Sequence, residues 1–440
     1  MKRTAIGAAF ANLLAAYLMG SVLAADPQTL DWSKIPVKSI TLFYPGQSTS
    51  NWLLSRDHKG ARSLMQEKAC LSCHEADEKD LGSKLVKGGA IEPTPIAGKN
   101  GFIDVAVQAA HDTEYVYFRF QWKTNLNREG RMHDYVRFDG KVWKWYGHDR
   151  NDKAVRSGDQ PALYEDRFSI MLDDGKIPLF AQQGCWLTCH DGMRDTRNQV
   201  VGDPVKKHPL FSDAKYDADI RKYLASTRTD AAASWDKTKL REEIEKIKAA
   251  GGFLDLMQWR VNRSGPAGMA DDGYVLEYRN FDQGKNPFSW NINRSTMTPL
   301  FMFDTAKVGG KALRAEDIGN PAKPGAIIKE TNAVPFDPNA DWKEGDILPG
   351  RLLSRTDASG SAADNDAVYG TWKDGTYTLV WRRKLDSGHP GDDKIMKVGS
   401  KYTVGFAIHD DNVTTRFHHV SFPRTLGIGV DADIKAVTLK

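Results

Sequence analysis

The sequence predicts a mainly β protein: an antiparallel β-sandwich behind a short α-helical N-terminal segment, with helical insertions. Three observations point there. Strand-like runs of β-branched and aromatic residues recur from residue 103 to the C-terminus. Gly, Asp, Asn and Pro cluster between them, as in the connections of antiparallel sheets. The 440 residues are 40% hydrophobic and 27% charged with 38 glycines, which suits a large core and excludes collagen, coiled coil and general disorder. With 61 Lys+Arg against 57 Asp+Glu there is no basic stripe for nucleic acid.

At the N-terminus Lys2 and Arg3 precede an uncharged apolar run from Thr4 to Ala25. It ends Ser21-Val22-Leu23-Ala24-Ala25, and the small residues at −3 and −1 predict cleavage after Ala24, so that 1–24 is an export signal. An uncleaved anchor is the alternative, because the run reaches the roughly 20 residues a span needs. No later stretch is apolar enough to span a bilayer. The expectation is a periplasmic chain without a membrane span after signal cleavage.

Residues 25–102 form the expected N-terminal segment. It holds a strand-like run, Ile40-Thr41-Leu42-Phe43-Tyr44, and one short helix from Gly60 to Cys73 with Ala61, Leu64, Met65 and Ala69 on its apolar side. Residues 103–440 form the sandwich. Its strands are expected at 103–110, 115–122, 166–172, 273–281, 376–385, 401–409, 415–422 and 434–439. An insertion of helix and loop covers about 203–270. Within it Trp235, Leu240, Ile244 and Ile247 give a helix over 229–250, stopped by Gly251-Gly252. Residues 308–366 read as long loops, and Trp143, Trp145 and Tyr146 as core rather than as an electron path.

The chain has four cysteines, too few to staple a fold of this size. Cys70-Leu71-Ser72-Cys73-His74 is C-x-x-C-H: two thiols at the spacing that adds to the two haem vinyl groups, and an adjacent imidazole for the iron. Zinc would want a further pair of ligands, a redox C-x-x-C would want a βαβ unit, and a local disulfide is the remaining reading. Cys185-Trp186-Leu187-Thr188-Cys189-His190 repeats the arrangement with three residues between the thiols. A local disulfide or a single thioether are its alternatives. The expected cofactors are two covalently bound haems c, held by Cys70, Cys73, Cys185 and Cys189, with His74 and His190 as proximal iron ligands.

A distal ligand must come from elsewhere. No Met or His lies between His74 and Val105, which removes a downstream Met loop. His58 either folds back over the first haem or is a solvated loop residue. Met65 shares a helix with the motif and belongs beside the porphyrin or in the core, and His111 is a third candidate. For the second haem, His418 and His419 lie on a strand, so one faces a pocket and the other solvent. His419 is the distal candidate, with His409 its competitor. Met297 and Met302 read as core.

From about Ile103 onward the sequence resembles the haem-binding domain of the ethylbenzene dehydrogenase gamma-subunit family, which includes the gamma subunits of dimethyl sulfide dehydrogenase and chlorate reductase. The matching segments are Ala110-His111-Asp112 through Phe120-Gln121-Trp122, Asp166-Arg167-Phe168-Ser169-Ile170, Tyr369-Gly370-Thr371-Trp372 through Trp381-Arg382-Arg383-Lys384-Leu385, and Val404-Gly405-Phe406-Ala407-Ile408-His409-Asp410. The resemblance implies a β-sandwich that holds a haem between loops and a C-terminal hairpin. The well-known members use Met and Lys on a b-type haem. Here the place of the Met runs into the Cys185 cluster and the place of the Lys falls at 417–421, so that His190 and His419 would replace them, as in the c-type branch.

These readings converge on a periplasmic dihaem cytochrome of anaerobic respiration, with no catalysis of its own. It would pass single electrons between a membrane cytochrome that oxidises quinol and a terminal or molybdenum-containing oxidoreductase. The alternatives are a haem enzyme with one open iron site, reducing peroxide or an oxyanion, and a binding module with zinc or disulfides at the cysteines.

Overall fold

Alternating apolar residues dictate the strands of one large sheet. In chain order they are β1 (Lys38–Phe43), β2 (Phe102–His111), β3 (Tyr115–Lys123), β4 (Arg167–Asp173), β5 (Leu254–Arg260), β6 (Gly273–Val275), β7 (Arg279–Phe281), β8 (Ala367–Lys373), β9 (Thr376–Lys384), β10 (Lys401–His409), β11 (His419–Val420), β12 (Arg424–Ile428) and β13 (Ile434–Thr438). The structure, a computed structural model, describes residues 24–125, 130 and 134–439. The expected export signal, apart from Ala24, lies outside the described residues.

The strand order is β8-β9-β3-β2-β1-β11-β10-β4-β5-β6-β7, and β12 and β13 close a second route from β10 back to β2. The β2/β13 and β12/β13 pairs are parallel, the rest antiparallel. The sheet therefore folds over on itself as a sandwich. Phe118, Phe120 and Trp122 from one wing meet Phe168, Trp259 and Phe406 from the other in a buried core. The mainly β, sandwich-like class expected from the sequence is the class observed.

Within the N-terminal segment, β1 is an inner strand of the sheet, paired with β2 on one side and β11 on the other. This pairing lays the C-x-x-C-H segment against the C-terminal hairpin. The expected helix over 60–73 is two short ones, Ala61–Met65 and Leu71–His74, separated where Glu67 takes a left-handed φ of 59°.

Other boundaries move for identifiable reasons. The helix expected over 229–250 is confined to Arg241–Ala249. Upstream, the Asp230 carboxylate accepts from the Ser234 N–H and hydroxyl, and the Thr229 N–H reaches the Lys237 carbonyl, so a closed turn replaces helix. The Glu243 side chain then accepts from the Leu240 N–H and starts the helix there. Strand β5 lies inside the segment read as helix and loop. Its Asp255, Gln258 and Arg260 are buried polar residues that mask the strand pattern. The run 273–281 is split into β6 and β7, and 415–422 into a turn of 3-10 helix (Thr415–Phe417) and the short β11. The stretch 308–366 contributes strands such as Ile347–Pro349, and Trp143, Met297 and Met302 pack with it in a second core. Among the described residues no helix is long and apolar enough to cross a membrane.

Candidate functional site

Cys70 sits at the N-cap of the one-turn helix Leu71–His74, and the N–H groups of Cys73 and His74 both donate to its carbonyl. That turn gathers Cys70, Cys73 and His74 at one place, with Cys70 buried and Cys73 exposed. Burial pushes the Cys70 thiol up to about 11, so it is held protonated. The His58 ring lies 6.3 Å from the His74 ring. The Nδ1 of His58 donates to the Leu53 carbonyl at 2.9 Å, which leaves its Nε2 lone pair free. The Nδ1 of His74 is buried without a hydrogen bond, with Asp77 at 3.6 Å. Met65 is 63% exposed and packs against neither ring nor core. His111 is satisfied by the Asp112 carbonyl and the Thr438 hydroxyl.

The second cluster sits on a 3-10 turn, Gly184–Thr188. Gly184 is required there: its φ is +59°, and a Cβ would stand 3.0 Å from the Pro423 ring. The half-buried Cys185 thiol is pushed up to about 12 by its apolar surroundings. Cys185, Cys189, Met193 and His418 line one small cleft with Trp186 and Val420. His190 stands behind it: its Nε2 bonds the Leu187 carbonyl at 3.0 Å and its ring stacks on Tyr223 at 4.5 Å. Burial lowers His190 to about 4, so its imidazole is neutral.

The hairpin histidines do divide between two faces, but both are buried. His418 faces the cleft. Its Nδ1 donates to the Thr415 carbonyl at 2.6 Å, its Nε2 carries no hydrogen bond among the described residues, and burial lowers it to about 3. His419 points the other way, with its Nε2 on the Asn100 carbonyl at 2.8 Å and its Nδ1 3.5 Å from Asp410. His409 stacks on His418 at 4.8 Å and bonds the Thr415 carbonyl.

The two cysteine clusters share one site. The Cys70 N–H donates to the Gln182 carbonyl at 3.0 Å, and the Ser50 N–H to the Cys189 carbonyl at 2.6 Å. The Trp186 indole donates to the Ser48 hydroxyl. Cys70 and Cys185 belong to one apolar cluster with Phe43, Trp186 and Phe422. Phe422 stands between the clusters, its ring 5.9 Å from His74 at an interplanar angle of 9° and 5.4 Å from Trp186.

Sequence reasoning missed three neighbours. The Lys222 ammonium lies 3.0 Å from the Cys189 sulfur. The Met193 sulfur accepts from the His190 N–H. Phe422 carried no motif. Only Met193, three positions past His190, was within reach of a local search.

The donor set fits covalently bound haem. Four free thiols stand in two Cys–His units. Two imidazoles, His58 and His418, are each fixed through Nδ1 to a backbone carbonyl, the support usual for a metal-ligating histidine. Aromatic rings wall the site.

The ethylbenzene dehydrogenase family profile matches residues 29–421. The chain belongs to this family. Two relatives sharpen the comparison. Cytochrome c-552 of Stutzerimonas stutzeri is 28% identical over 438 residues, 99% of each chain. Cytochrome c-551 of Rhodocyclus tenuis is 31% identical over 188 residues, which is 42% of this chain and 64% of the relative. Both relatives carry the name of a c-type cytochrome, so this member of the ethylbenzene dehydrogenase family is similar to cytochromes c along its whole length.

Proposed function

We propose that the chain is a dihaem c-type cytochrome that carries single electrons in the periplasm. The observation that supports this most is the packing of both Cys–His units into one aromatic-walled site, joined by the Cys70 to Gln182 hydrogen bond and by the Phe422 ring. When bound, haem supplies a one-electron iron couple.

The residues of this chain do the rest. Cys70 and Cys73 would tether the first group, and His74 and His58 would hold its iron. Cys185 and Cys189 tether the second. His418 takes the distal place in preference to His419, because His418 faces the cleft with a free Nε2 whereas His419 is committed to Asn100. His190 completes that pair once its Nε2 leaves the Leu187 carbonyl. Imidazole pairs favour a lower potential than a His/Met pair, which suits exchange with a quinol-linked membrane cytochrome on one side and a terminal or molybdenum-containing oxidoreductase on the other. Phe43, Trp186 and Phe422 exclude water from the space between the clusters.

One observation favours a second reading. If His190 stays on Leu187, the second iron keeps an open position, and the protein is a haem enzyme acting on peroxide or an oxyanion. Carbon monoxide added to the reduced protein separates the two. The relay reading expects no rapid binding to the wild type and binding at a single site after His58→Ala or His418→Ala. Rapid binding to one haem of the wild type overturns it.

A further inference from the structure

Five carboxylates converge where the edge of the sheet meets the loop after β9. Asp255 is on β5, Asp272 precedes β6, Asp282 follows β7, and Asp392 and Asp393 lie in that loop. All are at least nine-tenths buried: Asp255 and Asp272 at 0% exposure, Asp393 at 2%, Asp392 at 5% and Asp282 at 6%. Asp392 is satisfied by the Gln283 N–H at 3.0 Å and the Ser361 hydroxyl at 2.8 Å. The others are not. Oxygen atoms of Asp255, Asp272 and Asp393 lie within 4.8 Å of one another. Oδ1 of Asp255, Oδ2 of Asp393 and both carboxylate oxygens of Asp282 are buried with no hydrogen-bond partner.

The protein's own cations do not balance this charge. Arg383 bonds Oδ2 of Asp255 at 2.7 Å and stands 3.5 Å from Asp393. The Lys394 ammonium turns away, to Asp174 at 2.6 Å and the Gly251 carbonyl at 2.8 Å. Arg279 is directed to Asp271. Asp272 accepts only neutral donors, the Gly273 N–H and the Asn365 amide. Arg383 is thus the one cation within 4.0 Å of these four carboxylates among the described residues. Each uncompensated buried charge costs several kcal/mol, so the cluster must hold either protons or a cation.

We propose that Asp255, Asp272 and Asp393, with Asp282 beside them, form a calcium site that ties β5, the β6–β7 hairpin and the loop after β9 together. The unpaired oxygens of Asp255 and Asp393, grouped with Asp272, are what a cation would pair with. The donors are hard oxygens with no thiol among them, and His389 is taken by Asp364 at 2.6 Å. Several buried carboxylates in irregular array suit calcium, which accepts six to eight oxygens flexibly; magnesium retains water and demands an octahedron. The site also backs the cysteine clusters, because Leu254 and Leu256, on the opposite face of β5, pack with Cys185 and Leu187.

The test uses the full-length, haem-loaded protein. Metal analysis after gel filtration in calcium-free buffer should find about one calcium per chain, the stoichiometry of one such site. Treatment with EGTA should lower the thermal midpoint by several degrees, and millimolar calcium should restore it. Asp393→Asn, which keeps the shape, should lose the metal and the response to EGTA. Absence of calcium, with a midpoint indifferent to EGTA and to added calcium, would overturn the proposal and leave the carboxylates protonated. Tight retention of zinc or iron instead would overturn the assignment to calcium. Calorimetric titration of calcium into EGTA-treated wild type reads the same site without relying on a variant.

Discussion

Phe422 is the ring through which the two cysteine clusters touch, and Phe422→Ala tests that contact directly. The side chain is 3% exposed and packs 4.9 Å from Phe43, 5.4 Å from Trp186 and 5.9 Å from His74. A buried Phe covers about 150–250 Å². At about 25 cal/mol per Å² its removal costs on the order of 4–6 kcal/mol before the remaining Ala methyl is credited. Measured Phe-to-Ala losses of about 3–5 kcal/mol agree with that range. Phe422→Leu keeps most of the volume and should cost under about 1.5 kcal/mol. Denaturant unfolding of the haem-loaded protein, followed by tryptophan fluorescence and by haem absorbance, gives both values. The reasoning expects the Ala variant to lose at least twice as much as the Leu variant in both signals. An Ala variant within about 1 kcal/mol of wild type would refute the placement of the ring, because a cavity of that size is never so cheap in a packed interior.

Two further predictions concern charge. Glu92, fully buried, accepts from Arg416 at 2.6 Å and from the Tyr44 hydroxyl at 2.5 Å beneath the C-terminal hairpin; Glu92→Ala should destabilise by about 3–5 kcal/mol in the same unfolding assay, since it strands a buried guanidinium. His389 is held above its usual value by its hydrogen bond to Asp364. Its folded value exceeds its unfolded one, so the stabilisation is complete below about pH 6.5 and is lost as pH rises through the folded value. Its NMR titration should move to lower pH in Asp364→Asn, and an unmoved curve would contradict the pairing.

What the sequence disclosed depended on how local the information was. Cys70 to His74 and Cys185 to His190 are contiguous, so each Cys–His grouping is visible from spacing alone. The alternation along β2, β3, β9 and β10 is equally local, and those strands stand within about two residues of their expected places, as helix and strand ends usually do. The choice between His418 and His419 was not legible. Alternation says that neighbours face opposite sides, but which side holds the cleft is decided by Cys185 and Trp186, more than two hundred residues earlier. Lys222 and Phe422 are isolated residues in sequence and acquire meaning only by packing. The apolar period over 229–250 was real from Arg241 on, and upstream it lost to the turn built by Asp230. The carboxylate cluster draws on residues 255 to 393, a spread that no window along the chain can see.

The central claim is that all four cysteines serve two haems in one chain. Intact-mass spectrometry of the denatured protein, purified from its native cells, tests it most directly, because only thioether-bound haem survives denaturation. The account predicts a mass increase of two haems, together with loss of one in Cys185→Ala/Cys189→Ala and retention of the other. A wild-type increase of a single haem, with Cys185 and Cys189 found as thiols or as a disulfide, would contradict it.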